Sequence, residues 1–329
     1  MDSSKLIARL RHAKVVVVGD LIADQFILGR VERVSREAPV LILQYDRTTI
    51  VPGGAGNAAA NVAALGAKVD IVGLVGRDDE GTRLLKRLSA RANVRRVVRA
   101  AGHATTVKTR ILAGGVHSAK QQVVRIDKLA PVVTPAMRKR LQAALTRAAR
   151  GADAIIVSDY GGGVVTPAMV QRAVRAAGRR KPFVLVDSRY AMLGFAGMTA
   201  TTPNESEVEA QLGVKIGDDA AALERAGRAL LQKTKAQAVL ITRGSRGMAL
   251  FERGKATEQI PIVGSDEVAD VTGAGDTVIA TFTLALACGA SFSDAAHLAN
   301  HAGGIVVMKQ GTATLSRAEL AASVAAHGR

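Results

Sequence analysis

The chain is 329 residues long and carries 45 Lys and Arg against 28 Asp and Glu, a formal charge of +17 at pH 7. Nearly half of it is hydrophobic, yet it holds six Phe, three Tyr and no Trp, which excludes disorder and implies a core of Ala, Val, Leu and Ile. The one cysteine, Cys288, excludes a disulfide framework and a cysteine-based zinc cluster, so the reducing cytoplasm is the expected location.

The opening MDSSKLIARLRH is too polar for a signal peptide. Lys14–Gly19 (KVVVVG) is an unbroken β-branched run, which reads as a parallel strand buried on both faces. Similar runs recur at Val69–Leu74, Ala154–Ser158, Phe183–Asp187 and Ala238–Thr242. Helical patterns separate them at Asn57–Leu65, Gly81–Ala90, Ala136–Ala149, Pro167–Ala177 and Ala220–Lys233. Two β-rich stretches, about 25–50 and 104–126, lack intervening helices. They are expected to pair as a small antiparallel sheet standing off the main one, as a lid over a cleft, a dimer contact, or both. The apolar stretch Thr277–Ala290 falls short of the roughly 18–20 residues a membrane span needs, so no membrane partner is expected. The pattern predicts a doubly wound, mainly parallel α/β sheet flanked by helices, laid out as one domain over 1–329. Ligands of such sheets bind beyond the carboxyl ends of the strands, where Asp20, Asp24, Asp159 and Asp187 fall.

The positive charge first suggests nucleic acid. The basic residues cluster as Lys86, Arg87, Arg91, Arg95, Arg96 and Arg99, as Arg138, Lys139, Arg140, Arg147 and Arg150, and as Arg172, Arg175, Arg179, Arg180 and Lys181. Each cluster lies on or just after an Ala- and Leu-rich helix, where charges form a solvated face. Aromatic stacking platforms are scarce, and no helix-turn-helix or zinc finger occurs, so no nucleic acid partner is expected. A basic nucleic-acid-binding protein remains the alternative from another class.

Two glycine-rich segments carry chemistry. In Val51-Pro-Gly-Gly-Ala-Gly-Asn57 the glycines let backbone approach a ligand ahead of a helix. The loose match to a dinucleotide fingerprint is discounted, because the fingerprint belongs after the first strand, and that strand ends in Gly19-Asp20 with no glycine loop. Asn57 and Asn61 lie one helical turn apart, and Asn57 can offer a polyol both a donor and an acceptor. The second segment, Asp270-Val-Thr-Gly-Ala-Gly-Asp-Thr277, leads into the apolar helix. Gly273, Ala274 and Gly275 leave helix-terminal amides open to an anion such as a phosphoryl group. Asp276 beside them makes no sense as an anion ligand. It is either a base for a hydroxyl attacking phosphorus or a plain complement to the helix dipole. Walker A, HExxH and GxSxG patterns are absent, and a metal pair at His297 and His301 is not expected.

DVTGAGDT at 270–277, GGAGN at 53–57 and TPNESE at 202–207, in this order and spacing, resemble the PfkB, or ribokinase-like, family of carbohydrate kinases. The resemblance runs from VVVVGDLIAD to AGGIVVMKQGTAT. Arg33–Val40, Lys108-Thr-Arg110, Gln121–Asp127 and Val157–Tyr160 are most similar to the heptose-7-phosphate kinases of lipopolysaccharide precursor synthesis.

The resemblance implies a cytoplasmic ATP-dependent kinase that transfers the γ-phosphate to a sugar hydroxyl, closest to the 1-OH of heptose 7-phosphate. Another sugar such as fructose, ribose or a sugar phosphate is the alternative, and a non-catalytic sugar- or nucleotide-binding regulator lies outside the class. It implies Asp276 as catalytic base, with the amides of Gly273, Ala274, Gly275 and Asp276 as anion hole. Asp24, Gly53, Gly54, Asn57, Lys108, Arg110 and Gln122 would meet the sugar. Asn204 and Glu207 would organise Mg²⁺ through water, and Thr242, Arg243, Gly244 and Asn300 would meet ATP. Asp270 and Thr272 would hold K⁺ if one is used, and a homodimer through the lid is expected. One departure stands out: heptose kinases often carry a Lys two residues after the Asp-Tyr pair, and here Gly162 follows Asp159-Tyr160. Lys108, Arg110 and Arg189 are the cations that could replace it. The sequence stops near Arg329 without an adenylyltransferase half, so a second activity is not expected.

Overall fold

The computed structural model describes residues 2–114, 120–179, 181–264 and 270–328, so Arg180 and lid positions 115–119 lie outside the described residues. In chain order the strands are β1 Lys14–Gly19, β2 Leu21–Val34, β3 Leu41–Gly54, β4 Lys68–Val72, β5 Leu74–Gly76, β6 Val98–Ala100, β7 Thr106–Gly114, β8 Gln121–Lys128, β9 Ala154–Asp159, β10 Phe183–Ser188, β11 Ala200–Thr201, β12 Ala238–Thr242, β13 Met248–Glu252 and β14 Glu258–Ile260. Eight of them form one sheet in the order β14-β13-β12-β11-β10-β9-β1-β4. From β12 to β4 every pair is parallel, and β13 and β14 add antiparallel strands at the far edge.

The uninterrupted Val and Ile runs are explained by burial on both sides. Val15, Val17, Ile71, Ile156 and Leu240 pack with helices Ala55–Ala64, Ala274–Ala287 and Phe292–Val307. Their neighbours Val16, Val18, Ile155, Val157 and Ile241 pack with helices Pro135–Ala149, Pro167–Ala176 and Ala220–Thr234 on the other face. Thr134 and Thr166 cap two of these helices, each followed by a proline at the first turn, whose missing N–H costs nothing there.

Two expectations change. The run Val69–Leu74 is two strands broken at Gly73, where a Cβ would stand 2.7 Å from the Leu21 side chain. The lid is a four-stranded sheet, β3-β2-β7-β8, that is mixed rather than antiparallel. Its outer pairs are antiparallel and its central β2–β7 pair is parallel. β2 leaves the core directly after β1, and β7 follows β6, so both run outward in the same direction. The first two basic clusters stay largely in solvent. Arg95, Arg140 and Arg147 are exposed and, with Arg96, line a groove near the loop before β6, away from the carboxyl ends of the strands.

Candidate active site

The helix Ala274–Ala287 begins at Gly273, a left-handed residue with φ 81°. A Cβ there would stand 2.5 Å from Asn57 Nδ2, so only glycine fits both the backbone and the neighbour. The Ala274 amide donates to Val271 O and the Thr277 amide to Gly273 O, which leaves the amides of Gly275 and Asp276 without an acceptor among the described residues. Gly275 has open space where a side chain would be. Asp276, 3% exposed, therefore sits in an anion-attracting first turn.

Two side chains donate to that carboxylate. Asn57 Nδ2 reaches Oδ2 at 2.8 Å and the Tyr160 hydroxyl reaches Oδ1 at 3.2 Å. Asn57 also donates to Gly273 O at 3.3 Å, while its own Oδ1 accepts from Asn61 Nδ2 at 3.2 Å. Burial lifts the Asp276 carboxyl to about 7; the bonds from Asn57 and Tyr160 restrain the rise, and the neighbouring Asp24 adds to it. Shielding from water, with Asp276 and Asp187 nearby, holds the Tyr160 hydroxyl well above its ordinary value, so it stays a donor. Any step that needs ionised Asp276 then fades as pH falls through about 7, while at pH 8 the group is mostly ionised. The expected kcat profile has an acid limb near pH 7, and a flat profile from about pH 5 to 8 would contradict it.

Across the cleft, β2 and β7 bring up the lid residues. Arg110 Nη1 pairs with Asp24 Oδ1 at 2.6 Å, both side chains largely shielded, and the same guanidinium lies 5.5 Å from the centre of the Phe26 ring. Gly53 makes room for Asp24: a Cβ would come 2.2 Å from its Oδ2. Gly54, φ 55°, would place a Cβ 2.6 Å from Asp20 O. Lys108 Nζ and the Arg189 guanidinium each stand 5.1 Å from the centre of the Tyr160 ring. Burial, with Arg189 and Arg125, holds the Lys108 ammonium below its ordinary range against the pull of Asp24. Gln122 pairs with Leu112 on the outer lid strand and is exposed.

Beyond Asp276, a cavity of about 420 Å³ is lined by Asn204, Thr242, Gly244, Gly275, Val278 and Asn300 among others. Asn300 is 4% exposed and donates to Pro261 O at 2.7 Å. Asn204 and Glu207 form a reciprocal capping box at the start of helix Glu205–Leu212, at 2.8 and 3.0 Å, which leaves Glu207 Oε1 outside the pair. Burial raises Glu207, and burial together with repulsion from Glu207 and Asp276 raises Asp187 well above the carboxylate range. No group of three or more His, Cys, Asp or Glu among the described residues is arranged to hold a metal by itself. Two mutually repelling carboxylates suit a hard cation that keeps waters and takes its other ligands from phosphates.

Some expected residues are committed elsewhere. Arg243 pairs with Glu205 at 2.8 Å and donates to Gly217 O, so its guanidinium is engaged within the protein. Both oxygens of Asp270 accept amides, from Thr272 at 2.8 Å and Gly311 at 2.9 Å. His297 binds Glu258, and His301 binds Ser323 and the Gly328 carbonyl, so the two share no ligand. Sequence reasoning passed over the Tyr160 hydroxyl as a partner of Asp276; its signal was a tyrosine directly after the Asp159 that ends a core strand.

The model of the pfkB family carbohydrate kinases matches residues 12–319. The Bifunctional protein HldE of Geobacter metallireducens is 41% identical over 322 residues, 97% of this chain and 64% of that protein. The protein of the same name from Caulobacter vibrioides is 42% identical over 311 residues, 94% of this chain and 62% of that one. This chain thus spans a little under two thirds of the length of these relatives. Among solved structures, phosphofructokinase-2 from Escherichia coli in complex with potassium has a TM-score of 0.77 at 18% identity, covering 97% of this chain and 100% of that one. Arabidopsis thaliana ribokinase complexed with ribose and ATP has a TM-score of 0.72 at 18% identity, covering 95% and 99%. Likeness at that identity shows the ribokinase-like fold. With the family match spanning nearly the whole chain, the protein belongs to the pfkB family of carbohydrate kinases and is an ATP-dependent sugar phosphotransferase.

Proposed function

We propose that the acceptor is a sugar that already carries a phosphate, heptose 7-phosphate at its 1-hydroxyl, and that Asp276 takes the hydroxyl proton. The observation that carries the reading is the Asp276 carboxyl itself. It is buried, lifted to about 7, held by Asn57 and Tyr160, and set in the same helical turn as the open amides of Gly275 and Asp276. A base poised near the working pH is what in-line attack on the γ-phosphorus needs, and the amides are placed for charge that builds on the transferred group. Asp24 accepts from the sugar hydroxyls, and Asn57, whose amide hydrogens are engaged with Asp276 and Gly273 O, supports the base first. ATP lies along the cavity bounded by Asn204, Thr242, Gly244 and Asn300, with Arg243 bracing that wall through Glu205. Glu207 and Asn204, beside Asp187, would hold the waters of a Mg²⁺ ion, which would supply neutralisation of the phosphate charge. The Asp270–Thr272 loop would hold K⁺ through the carboxylate lone pairs that the Thr272 and Gly311 amides leave free, and exchange of KCl for choline chloride is expected to lower turnover. Lid closure keeps water from the γ-phosphate.

Lys108 and Arg189, both against Tyr160, supply the grip for the acceptor's own phosphate in place of the lysine absent at Gly162. Replacing either with Ala raises KM for a phosphorylated acceptor about tenfold or more and leaves KM for ATP unchanged, because charge-assisted hydrogen bonds to one substrate are lost. A second reading, an unphosphorylated sugar, is favoured by Gly162 itself, where a Cβ would stand 2.5 Å from Asp20 Oδ1 and so leave little room for a longer side chain. An ADP-release screen over heptose 7-phosphate, fructose, ribose, fructose phosphates and adenosine separates the two. Turnover greatest with heptose 7-phosphate supports the proposal, and turnover with free sugars alone refutes it.

The lid's outer face supports self-association. Strand alternation puts Val31, Tyr45, Val124 and Ile126, all exposed, on the side of the sheet opposite Asp24, Lys108 and Arg110. Light scattering should show a dimer, and Ile126→Glu should convert it to a monomer.

A further inference from the structure

Asp20 stands in the turn between β1 and β2 and is 6% exposed. Its Oδ2 accepts the Tyr160 amide at 2.7 Å and the Gly162 amide at 3.0 Å. Its Oδ1 is buried without a hydrogen bond of normal geometry among the described residues, the Val164 amide being the remaining donor near the carboxylate. Its backbone oxygen accepts the Ala55 amide at 3.0 Å, and its own amide donates to Ser158 O at 3.1 Å. A buried carboxylate with an unpaired oxygen is costly, and Asp159 repels it further, so a plain turn is poorly served by this residue. What it holds is specific. Tyr160 carries one hydrogen-bond donor to Asp276, and Ala55 opens the helix that carries Asn57, the other donor.

We propose that Asp20 is a positioning residue whose side chain fixes Tyr160, one of the two donors to the Asp276 carboxylate, while its backbone oxygen, as any residue's would there, receives the start of the helix that carries the other donor, Asn57. The inference rests on the reading of Asp276 as the base. Three elements that are distant in sequence meet at Asp20. The β1–β2 turn is the anchor, the loop after β9 brings Tyr160, and the helix after β3 brings Asn57. Gly162 is part of the device, since any side chain there drives its Cβ against Asp20 Oδ1 at 2.5 Å. The charged and titratable groups facing Asp276 are Asp24 and Lys108 from the lid and Tyr160 and Asp187 from the core, and of these only Tyr160 is held by Asp20.

The test compares Asp20→Ala, Asp20→Asn, Gly162→Ala and Tyr160→Phe in the full chain, with folding checked by thermal melting. Two readouts are taken: kcat and KM for ATP, and the Asp276 titration followed by carbon-13 NMR of aspartate-labelled protein. An Asp276→Asn control identifies the Asp276 resonance by its loss. Asp20→Ala and Gly162→Ala should lower kcat about 10–100-fold with KM for ATP within about twofold, as misplacement of catalytic groups does. Both, like Tyr160→Phe, should raise the Asp276 midpoint by about one unit, because a hydrogen bond to its charged form is lost. Asp20→Asn keeps an oxygen that accepts both amides and should stay within about threefold of wild type. If Asp20→Ala fails to fold, Gly162→Ala and Asp20→Asn decide. A wild-type midpoint and kcat in Gly162→Ala, or an Asp20→Asn as damaged as the alanine variants, overturns the proposal. Should no sugar be turned over by wild type, the base reading fails by itself, while the titration still reports whether Asp20 governs Asp276.

Discussion

Asp276→Asn lowers kcat by about 10²–10⁴-fold and leaves KM for ATP within severalfold, the pattern of a lost proton acceptor rather than a lost binding contact. The shape of the site survives the change. An asparagine oxygen can still accept from Asn57 Nδ2, and its amide can donate to a Tyr160 hydroxyl turned to accept, so the two contacts at 2.8 and 3.2 Å are kept. Stability moves the opposite way from activity. Folded Asp276 keeps its proton up to about pH 7, whereas an unfolded aspartate releases it near 3.8. The native state therefore binds the extra proton between those limits, and its stability falls as pH rises through that window. The asparagine variant escapes this loss and should melt higher than wild type at about pH 8 and about the same at about pH 4. Near wild-type turnover in a coupled ADP assay would remove Asp276 from the role of base.

Gly273→Ala is expected to lower kcat about 10²-fold and stability by about 1–2 kcal/mol. The stability loss comes from a Cβ at φ 81°, in the left-handed region. The activity loss has a different source. The new methyl group stands 2.5 Å from Asn57 Nδ2 and 2.9 Å from Thr312 Cγ2. Relieving that contact moves Asn57 off Asp276 and tilts the helix start that presents the Gly275 and Asp276 amides, and misaimed donors cost most in the transition state. Gly275→Ala, at a position with open space, is the matched control. It should fold as well as wild type and lose activity only where its methyl group enters the ATP cavity, which raises KM for ATP rather than lowering kcat alone. Equal effects of the two substitutions would contradict the assignment.

The main sheet was legible because both faces of its strands are covered. Val15 to Val18 alternate between two helical layers, so the run shows no polar position and can only be an interior strand. The two β-rich stretches were legible as a separate sheet for the converse reason: β7 and β8 are largely half-buried or exposed, with charge on the cleft face and Val124 and Ile126 on the other. The parallel pairing of β2 with β7 was not legible, since alternation fixes the face of a strand and not its direction. Gly73 likewise gave no sign of splitting a strand, because the reason is a contact with Leu21, far earlier in the chain.

At the site, the glycine spacing around 53–57 and 270–276 conveyed where backbone must come close, and each of Gly53, Gly54 and Gly273 proves to have a neighbour a Cβ would strike. Partnerships between side chains were invisible. Arg243 carried a charge suited to phosphate, but Glu205 and Gly217 lie within reach only once helix Glu205–Leu212 packs beside β12. Asp20 carried no motif that distinguished it from Asp24, although one sits beneath the Tyr160 loop and the other faces Arg110 on the lid. The +17 charge resolves largely into exposed helical arginines and lysines, with Lys86, Arg87 and Arg91 lining a cavity that reaches Asn57, Lys108 and Arg189 against the Tyr160 ring and Arg110 on Asp24.

The central claim is that this kinase adds a phosphate to a sugar that already has one, with Asp276 as base. Phosphorus-31 NMR of wild-type protein with ATP, Mg²⁺ and heptose 7-phosphate tests it most directly. The account predicts loss of the γ-phosphate signal matched by one new sugar 1-phosphate signal beside the retained 7-phosphate, and neither change with Asp276→Asn. Release of inorganic phosphate without a new ester, or an unchanged ATP spectrum with heptose 7-phosphate when a parallel sample with a free sugar consumes ATP, would contradict it.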